Sequence, residues 1–220
     1  MGATAIYGKV VMTGDTFPNN DETAHLAVNV QAAGTTAITI GTGTATLNTI
    51  PIDMFYKSSI SETIYPSTAI NIGGQLTGLS WYNNFVTATL QNKPTKIWVG
   101  ETTQTDLTSA WIPSTQLTSV FDGTVNYPAG QNLVTITFTT PYTYSGGNLV
   151  IMANRPLDTA YFSSSDMFLT STGGAGCTRE YHNDTTAPDP TAPPAGNIIT
   201  SYPNVTLYFL AGGGFITGTV

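Results

Sequence analysis

The chain has 220 residues, of which only 9% are charged, with 6 Lys+Arg against 13 Asp+Glu for a net charge of −7. That length can bury a sizeable core without a metal or disulfide staple. The acidic balance, with no Lys/Arg cluster, excludes a phosphate-backbone footprint and so argues against nucleic acid.

Polarity comes instead from Thr, Ser, Asn and Gln, together with 22 Gly and 13 Pro. This mix favours strands and turns, because Thr is β-branched while Gly, Pro and Asn supply turn conformations. One cysteine, Cys177, excludes an intrachain disulfide and a Cys-based zinc site. No apolar run approaches the ~20 residues needed to span a bilayer, so no membrane insertion is expected. The start, MGATAIYGKV, lacks the basic and apolar regions of a signal peptide. Met1-Gly2 reads as an added start, and an export signal is expected elsewhere in a longer polypeptide.

In chain order, the alternating runs Ala5–Met12 and Ala24–Val30 flank a turn-rich TGDTFPNNDE. Residues 1–33 therefore read as an extra N-terminal hairpin or strand pair, or as the end of a preceding immunoglobulin-like module. A second unit is expected over 34–220. Gly41-Thr42-Gly43-Thr44 lacks the lysine and strand–helix context of a phosphate loop and reads as a turn. Strands are expected at Gln75–Tyr82, Phe85–Thr89, Thr95–Val99, Leu117–Phe121, Leu133–Phe138, Leu149–Ala153, Met167–Thr170 and Val205–Leu210.

Turns are expected between them at Gly73-Gly74, Asn83-Asn84, Asn92-Lys93-Pro94, Asp122-Gly123, Pro128-Ala129-Gly130 and Ser145-Gly146-Gly147. A helical turn is expected near Thr105–Ala110, and the Pro-rich 183–196 is expected to be a loop joining two strands. Many short strands without an amphipathic helix predict an all-β fold, an antiparallel β-sandwich of jelly-roll type. In GGNLVIMANRP, the run Leu149–Ala153 is expected to be buried on both faces. Pro156 should end ladder pairing there, and Arg155 should pair with a carboxylate or carbonyl and fix the following loop.

Glycosidase chemistry needs two facing carboxylates. Glu101 lies just after the expected strand and Asp106 follows five residues later, and both read better as turn or capping groups. A Ser-His-Asp triad would require His25 or His182, and no G-x-S-x-G element occurs. The setting of Cys177 has Arg179 nearby but no adjacent His, so it reads as a buried or incidental thiol. No catalytic residue is expected.

Calcium suits loop oxygens. HNDTTAPDP offers Asp184 and Asp189 and RPLDTAYFSSSD offers Asp158 and Asp166, with Asx-turns as the competing explanation. Sugar recognition on a sandwich uses an exposed aromatic beside polar groups. Trp98 is expected in the core. Trp81 and Tyr82 alternate, so one of them should face outward. Trp111 precedes a proline-bound loop and is expected to be accessible, while Tyr142, Tyr144, Tyr161 and Tyr181 add further aromatics. Trp111, Trp81, Tyr82 and Tyr161 are thus the candidate ligand contacts, each set against a packing role.

The stretches IPIDMFYKSSISETIYPSTAI, GLSWYNNF, PTKIWVGETTQTDL, AWIPSTQLTSVFDGTVNYPAG, VTITFTTPYTYSGGNLVIMANRP and PPAGNIITSYPNVTLYF follow one another between about Ile38 and Phe209. Together they resemble a β-sandwich repeat of secreted, multidomain surface proteins of Bacteroidetes bacteria. The pattern is similar to the cleaved-adhesin (gingipain adhesin-type) jelly-roll domains. The resemblance implies export to the cell surface, neighbouring domains in one polypeptide, and an adhesive or carbohydrate-binding role toward a glycan or a host or surface protein. It also implies structural calcium, although the family's acidic loops have no residue-by-residue counterpart in this chain. A purely structural spacer is the alternative, and a hydrolase a more distant one.

Overall fold

The computed structural model describes residues 2–10, 13–14, 22, 26–30 and 34–210, and the chain divides into two compact units, 1–35 and 36–220. In the first, β1 (Gly2–Ile6) pairs antiparallel with β2 (Leu26–Val30), in a register from Gly2↔Val30 to Ile6↔Leu26. An exposed ion pair, Lys9 Nζ to Glu22 Oε1 at 2.8 Å, lies in the same unit. The expected second strand is present. The first is shifted toward the N-terminus and ends at Ile6, while Val11 and Met12 lie outside the described residues, as does His25.

The second unit is an all-β antiparallel sandwich. Its strands are β3 (Thr35–Ile40), β4 (Ala45–Leu47), β5 (Ser58–Tyr65), β6 (Gly74–Phe85), β7 (Leu90–Thr102), β8 (Thr118–Tyr127), β9 (Gly130–Tyr144), β10 (Asn148–Arg155), β11 (Met167–Thr172), β12 (Thr178–Asn183), β13 (Asn197–Ile199), β14 (Ser201–Pro203) and β15 (Val205–Leu210). One sheet runs β13-β12-β5-β10-β7-β8, and the other β14-β11-β6-β15-β3, with β4 on β11 and β9 on β6. Between them lies one apolar core including Leu79, Trp81, Ile97, Val99, Ile136, Ile151, Phe168 and Leu207. A smaller cluster of Ile64, Leu107, Ile112 and Val150 packs beneath the loop that follows β7. No helix among the described residues is long and apolar enough to cross a membrane.

β10 sits between β5 and β7 in the first sheet, and Leu149 to Arg155 are all buried, as the apolar run predicts. Its entry is the Ser145–Gly147 turn. Gly146 there has φ +110°, a conformation that glycine adopts without a Cβ penalty. The sandwich strand least marked in the sequence is β5. SSISETIY is buried throughout, and several of its polar atoms are taken up by partners outside the strand, as in Ser61 Oγ donating to Pro51 O at 2.6 Å.

Several expected turns are instead strand interior. Asn83-Asn84 lies within β6 and Asp122-Gly123 within β8, where Asp122 pairs with Lys96 at 2.9 Å. Asn92-Lys93-Pro94 is an irregularity in β7, with Asn92 at φ +52° and a register shift between Leu90 and Lys93. Phe85–Thr89 is not a strand beyond Phe85, because the N–H groups of Val86 and Thr87 turn to Asp166 Oδ1 at 2.9 and 2.8 Å. Thr105–Ala110 forms no helix. Asp106 accepts both the N–H and the hydroxyl of Thr108, a local bond that competes with helical pairing. Single helical turns occur at Ser67–Ile70 and Ser114–Gln116. The Pro-rich 183–196 joins β12 to β13, as expected.

Candidate functional site

Arg155 organises one end of the sandwich. Its side chain is 0% exposed, and it leaves the last position of β10 just before Pro156. Nη1 donates to the carbonyls of Asp53 and Met54, each at 3.3 Å, and to that of Tyr56. Nη2 donates to Asp158 Oδ2 at 2.9 Å and to Ala160 O at 2.7 Å. One guanidinium therefore ties segment 51–57 to the loop after β10. The two segments also bond directly, Asp158 N–H to Lys57 O and Phe162 N–H to Met54 O, both at 2.8 Å. Lys93 Nζ adds a 3.2 Å contact to Asp158 and lies 4.5 Å from the centre of the Phe162 ring. Burial alone would raise the Asp158 carboxyl, but bonds from Arg155, Lys93 and the Thr159 N–H hold it at about 2.

These two segments present aromatic rings to solvent. Tyr161 is 61% exposed and Phe55 40%, with ring centroids 6.5 Å apart. Phe55 also meets Tyr56 edge-on at 5.2 Å. The Tyr56 ring lies flat on the imidazole of His182, at 3.8 Å and 21°. His182 projects from β12, and its Nδ1 is 3.0 Å from Glu180 Oε2 and 3.6 Å from Asp53 Oδ2. Both carboxylates are buried, whereas the imidazole is 23% exposed. Burial raises the Asp53 carboxyl above its ordinary range, against the lowering effect of the Phe55 N–H and His182. Exposed rings, one imidazole and flanking polar groups on a rigid floor suit weak recognition of a planar or sugar-like surface.

The candidate ligand contacts read from the sequence are dispersed. Tyr161 belongs to the aromatic face. Trp81 is 1% exposed and points into the core, so it is no surface contact, and Tyr82 is the outward member of the pair. The Tyr82 hydroxyl is 2.9 Å from Thr206 Oγ1 on the second sheet. Trp111 is half-buried against the Pro-rich loop, donating Nε1–H to Pro194 O at 2.8 Å. A Cβ on Gly196 would come within 2.8 Å of the Trp111 ring, so the close seat of that ring requires glycine. Trp98 is half-buried opposite Met152, while its neighbours Ile97 and Val99 fill the core. The expected core assignment of Trp98 is corrected by strand alternation.

Each of the four candidate calcium carboxylates is engaged by partners in the protein. Asp158 serves Arg155 and Lys93, and Asp166 accepts from Val86 and Thr87. Asp184 accepts the Lys57 N–H at 3.0 Å, and Asp189 accepts the N–H and hydroxyl of Thr191. Among the described residues no group of three His, Cys, Asp or Glu side chains is placed to hold a metal ion. Glu101 accepts from the Ser145 and Gly147 N–H groups at 2.8 and 2.6 Å, the turn role its position suggests. Cys177 is buried, and that burial pushes its thiol up.

Phe55, Tyr56 and His182 had no motif to mark them as a site. The signals in the sequence were Tyr161, an aromatic in a loop, and Arg155, a rare cation placed where a strand ends. No protein-family model and no curated protein matches the chain.

Proposed function

We propose that the chain is a non-catalytic recognition module, an adhesive or carbohydrate-binding sandwich of a secreted or cell-surface multidomain protein. The observation that carries this reading is the exposed Tyr161–Phe55 pair beside Tyr56 and His182, on segments that one buried arginine fixes. Rings that are already positioned lose little conformational freedom on binding, which favours recognition through a small contact. Repetition of such a module along a surface protein would raise weak affinity by avidity. Glu101 and Asp106 are engaged in turns, which favours binding over two-carboxylate hydrolysis.

The test is a glycan array followed by affinity electrophoresis in gels containing xylan, laminarin or mucin. Retardation of the wild type that is lost in Tyr161→Ala and Phe55→Ala, at unchanged Tm, is the expected result. Wild-type mobility unaffected by every glycan and by surface proteins would instead favour a spacer.

A further inference from the structure

Segment 51–57 is fastened on two sides. Arg155 holds its carbonyls from β10, as described above. From β12, His182 holds it in a different way. Asp53 Oδ1 accepts the N–H of Phe55 at 2.8 Å and that of Tyr56 at 3.4 Å. Asp53 Oδ2 is buried, accepts no hydrogen bond and faces His182 Nδ1. Glu180, whose Oε1 is taken by Asn197 Nδ2 at 2.6 Å, offers Oε2 to the same Nδ1. An ionised carboxylate can only accept, so wherever Glu180 is ionised its 3.0 Å contact requires Nδ1 to carry the proton and donate. The imidazole face then supports the Tyr56 ring.

We propose that His182 is the positioning residue of the aromatic face. Its Nδ1, held by Glu180 and facing Asp53 Oδ2 at 3.6 Å, and its ring, stacked on Tyr56, form a clasp that seats segment 51–57 against β12, and so sets where Phe55 and Tyr56 stand for a ligand. The importance of that placement for binding rests on the recognition reading, whereas the clasp itself does not. Without the imidazole, Glu180 Oε2 loses its hydrogen-bond partner, Asp53 Oδ2 loses the polar group it faces, and Tyr56 loses its stacking partner. The Asp53 turn that holds the Phe55 and Tyr56 N–H groups should then open more often.

Amide hydrogen exchange of the whole chain, followed by NMR, tests this at residue resolution. In His182→Ala, exchange at Phe55 and Tyr56 should quicken about tenfold, the size of one aromatic stack or charge-assisted bond. The Phe162 N–H, on the side anchored by Arg155, should be unchanged. His182→Gln, which can still donate to Glu180, should restore part of the protection, and His182→Phe, which can only stack, a different part. Unchanged exchange at Phe55 and Tyr56 in His182→Ala overturns the proposal, since Arg155 would then suffice. Should that variant not fold, Tyr56→Leu leaves His182 and both carboxylates in place. It must still quicken exchange at Phe55, and failure to do so equally overturns the clasp. Affinity electrophoresis in xylan, laminarin and mucin gels separates the two readings. Quickened exchange with no wild-type retardation keeps the clasp and removes only the recognition role.

Discussion

Arg155 Nη2 lies 2.9 Å from Oδ2 of Asp158, three residues further along the chain, and the guanidinium is wholly buried. Burying a guanidinium is costly unless a carboxylate and other acceptors offset the lost hydration, and truncating one partner strands the other. Asp158→Asn is therefore expected to lower stability at pH 7 by on the order of 2–4 kcal/mol. The pH dependence has a definite sign. The Asp158 carboxyl is held at about 2, below its ordinary 3.8, so its contribution is present above about pH 4 and lost as pH falls toward 2. Urea unfolding at pH 7 and at pH 2.5 should show a large wild-type–variant gap that shrinks at the lower pH. An equal gap at both values would assign the effect to shape and not to charge.

Trp81 and Tyr161 were read from the sequence as the same kind of residue, and the fold places them in opposite environments. Trp81→Ala would empty the space of a core indole and should cost roughly 3–5 kcal/mol. Tyr161→Ala removes a ring that is 61% exposed and should change stability by no more than about 0.5 kcal/mol. Thermal unfolding of both variants checks the contrast. A Tm loss in Tyr161→Ala comparable to that in Trp81→Ala would mean the aromatic face is part of the packing.

That contrast shows what a single sequence carries. Strand β10 was legible because LVIMA is continuously apolar and bounded by Gly146-Gly147 and Pro156. Strand β5 was not, because its burial depends on partners about ten to more than a hundred residues away, as with the contact between the hydroxyls of Thr63 and Thr178 at 3.1 Å. Turn dipeptides misled where sheet pairing could absorb them. Asp122-Gly123 is straight because Lys96 and Thr95 across β7 fix its register. The aromatic face was half legible: Tyr161 stood out in a loop, but its neighbour Phe55 arrives through long-range bonds, those of Arg155, Asp158 and Phe162 among them.

Glu101 illustrates a carboxylate whose structural role sequence reasoning could identify. Burial pushes its carboxyl up, but the N–H groups of Ser145 and Gly147 and the hydroxyls of Ser145 and Tyr142 bring it below its ordinary range. Glu101→Ala should loosen the turn that leads into β10 while leaving the sheet intact. Amide exchange at Ser145 and Gly147 should quicken, with Val150 and Ile151 protected as before. Equal loss of protection along β10 would show that the turn governs the strand.

Glu62 sets the opposite pH dependence. It is fully buried beneath the loop after β7, with Oε2 accepting the Ile112 N–H at 2.8 Å and Oε1 accepting no hydrogen bond. Burial pushes its carboxyl up to about 8, although the Ile112 N–H and the charge of Arg179, its cross-strand partner, pull the other way. A carboxyl raised in the folded state favours folding while it is protonated. Its contribution is complete below about pH 4.5 and is lost as pH rises through about 8. Glu62→Gln keeps an acceptor for Ile112 and abolishes the ionisation. The variant should match the wild type at pH 5 within a few degrees of Tm and exceed it at pH 9, where the wild-type side chain must carry charge in an apolar pocket. Calorimetry at both pH values decides the matter. A variant less stable than the wild type at pH 9 would mean that Arg179 more than compensates the buried carboxylate.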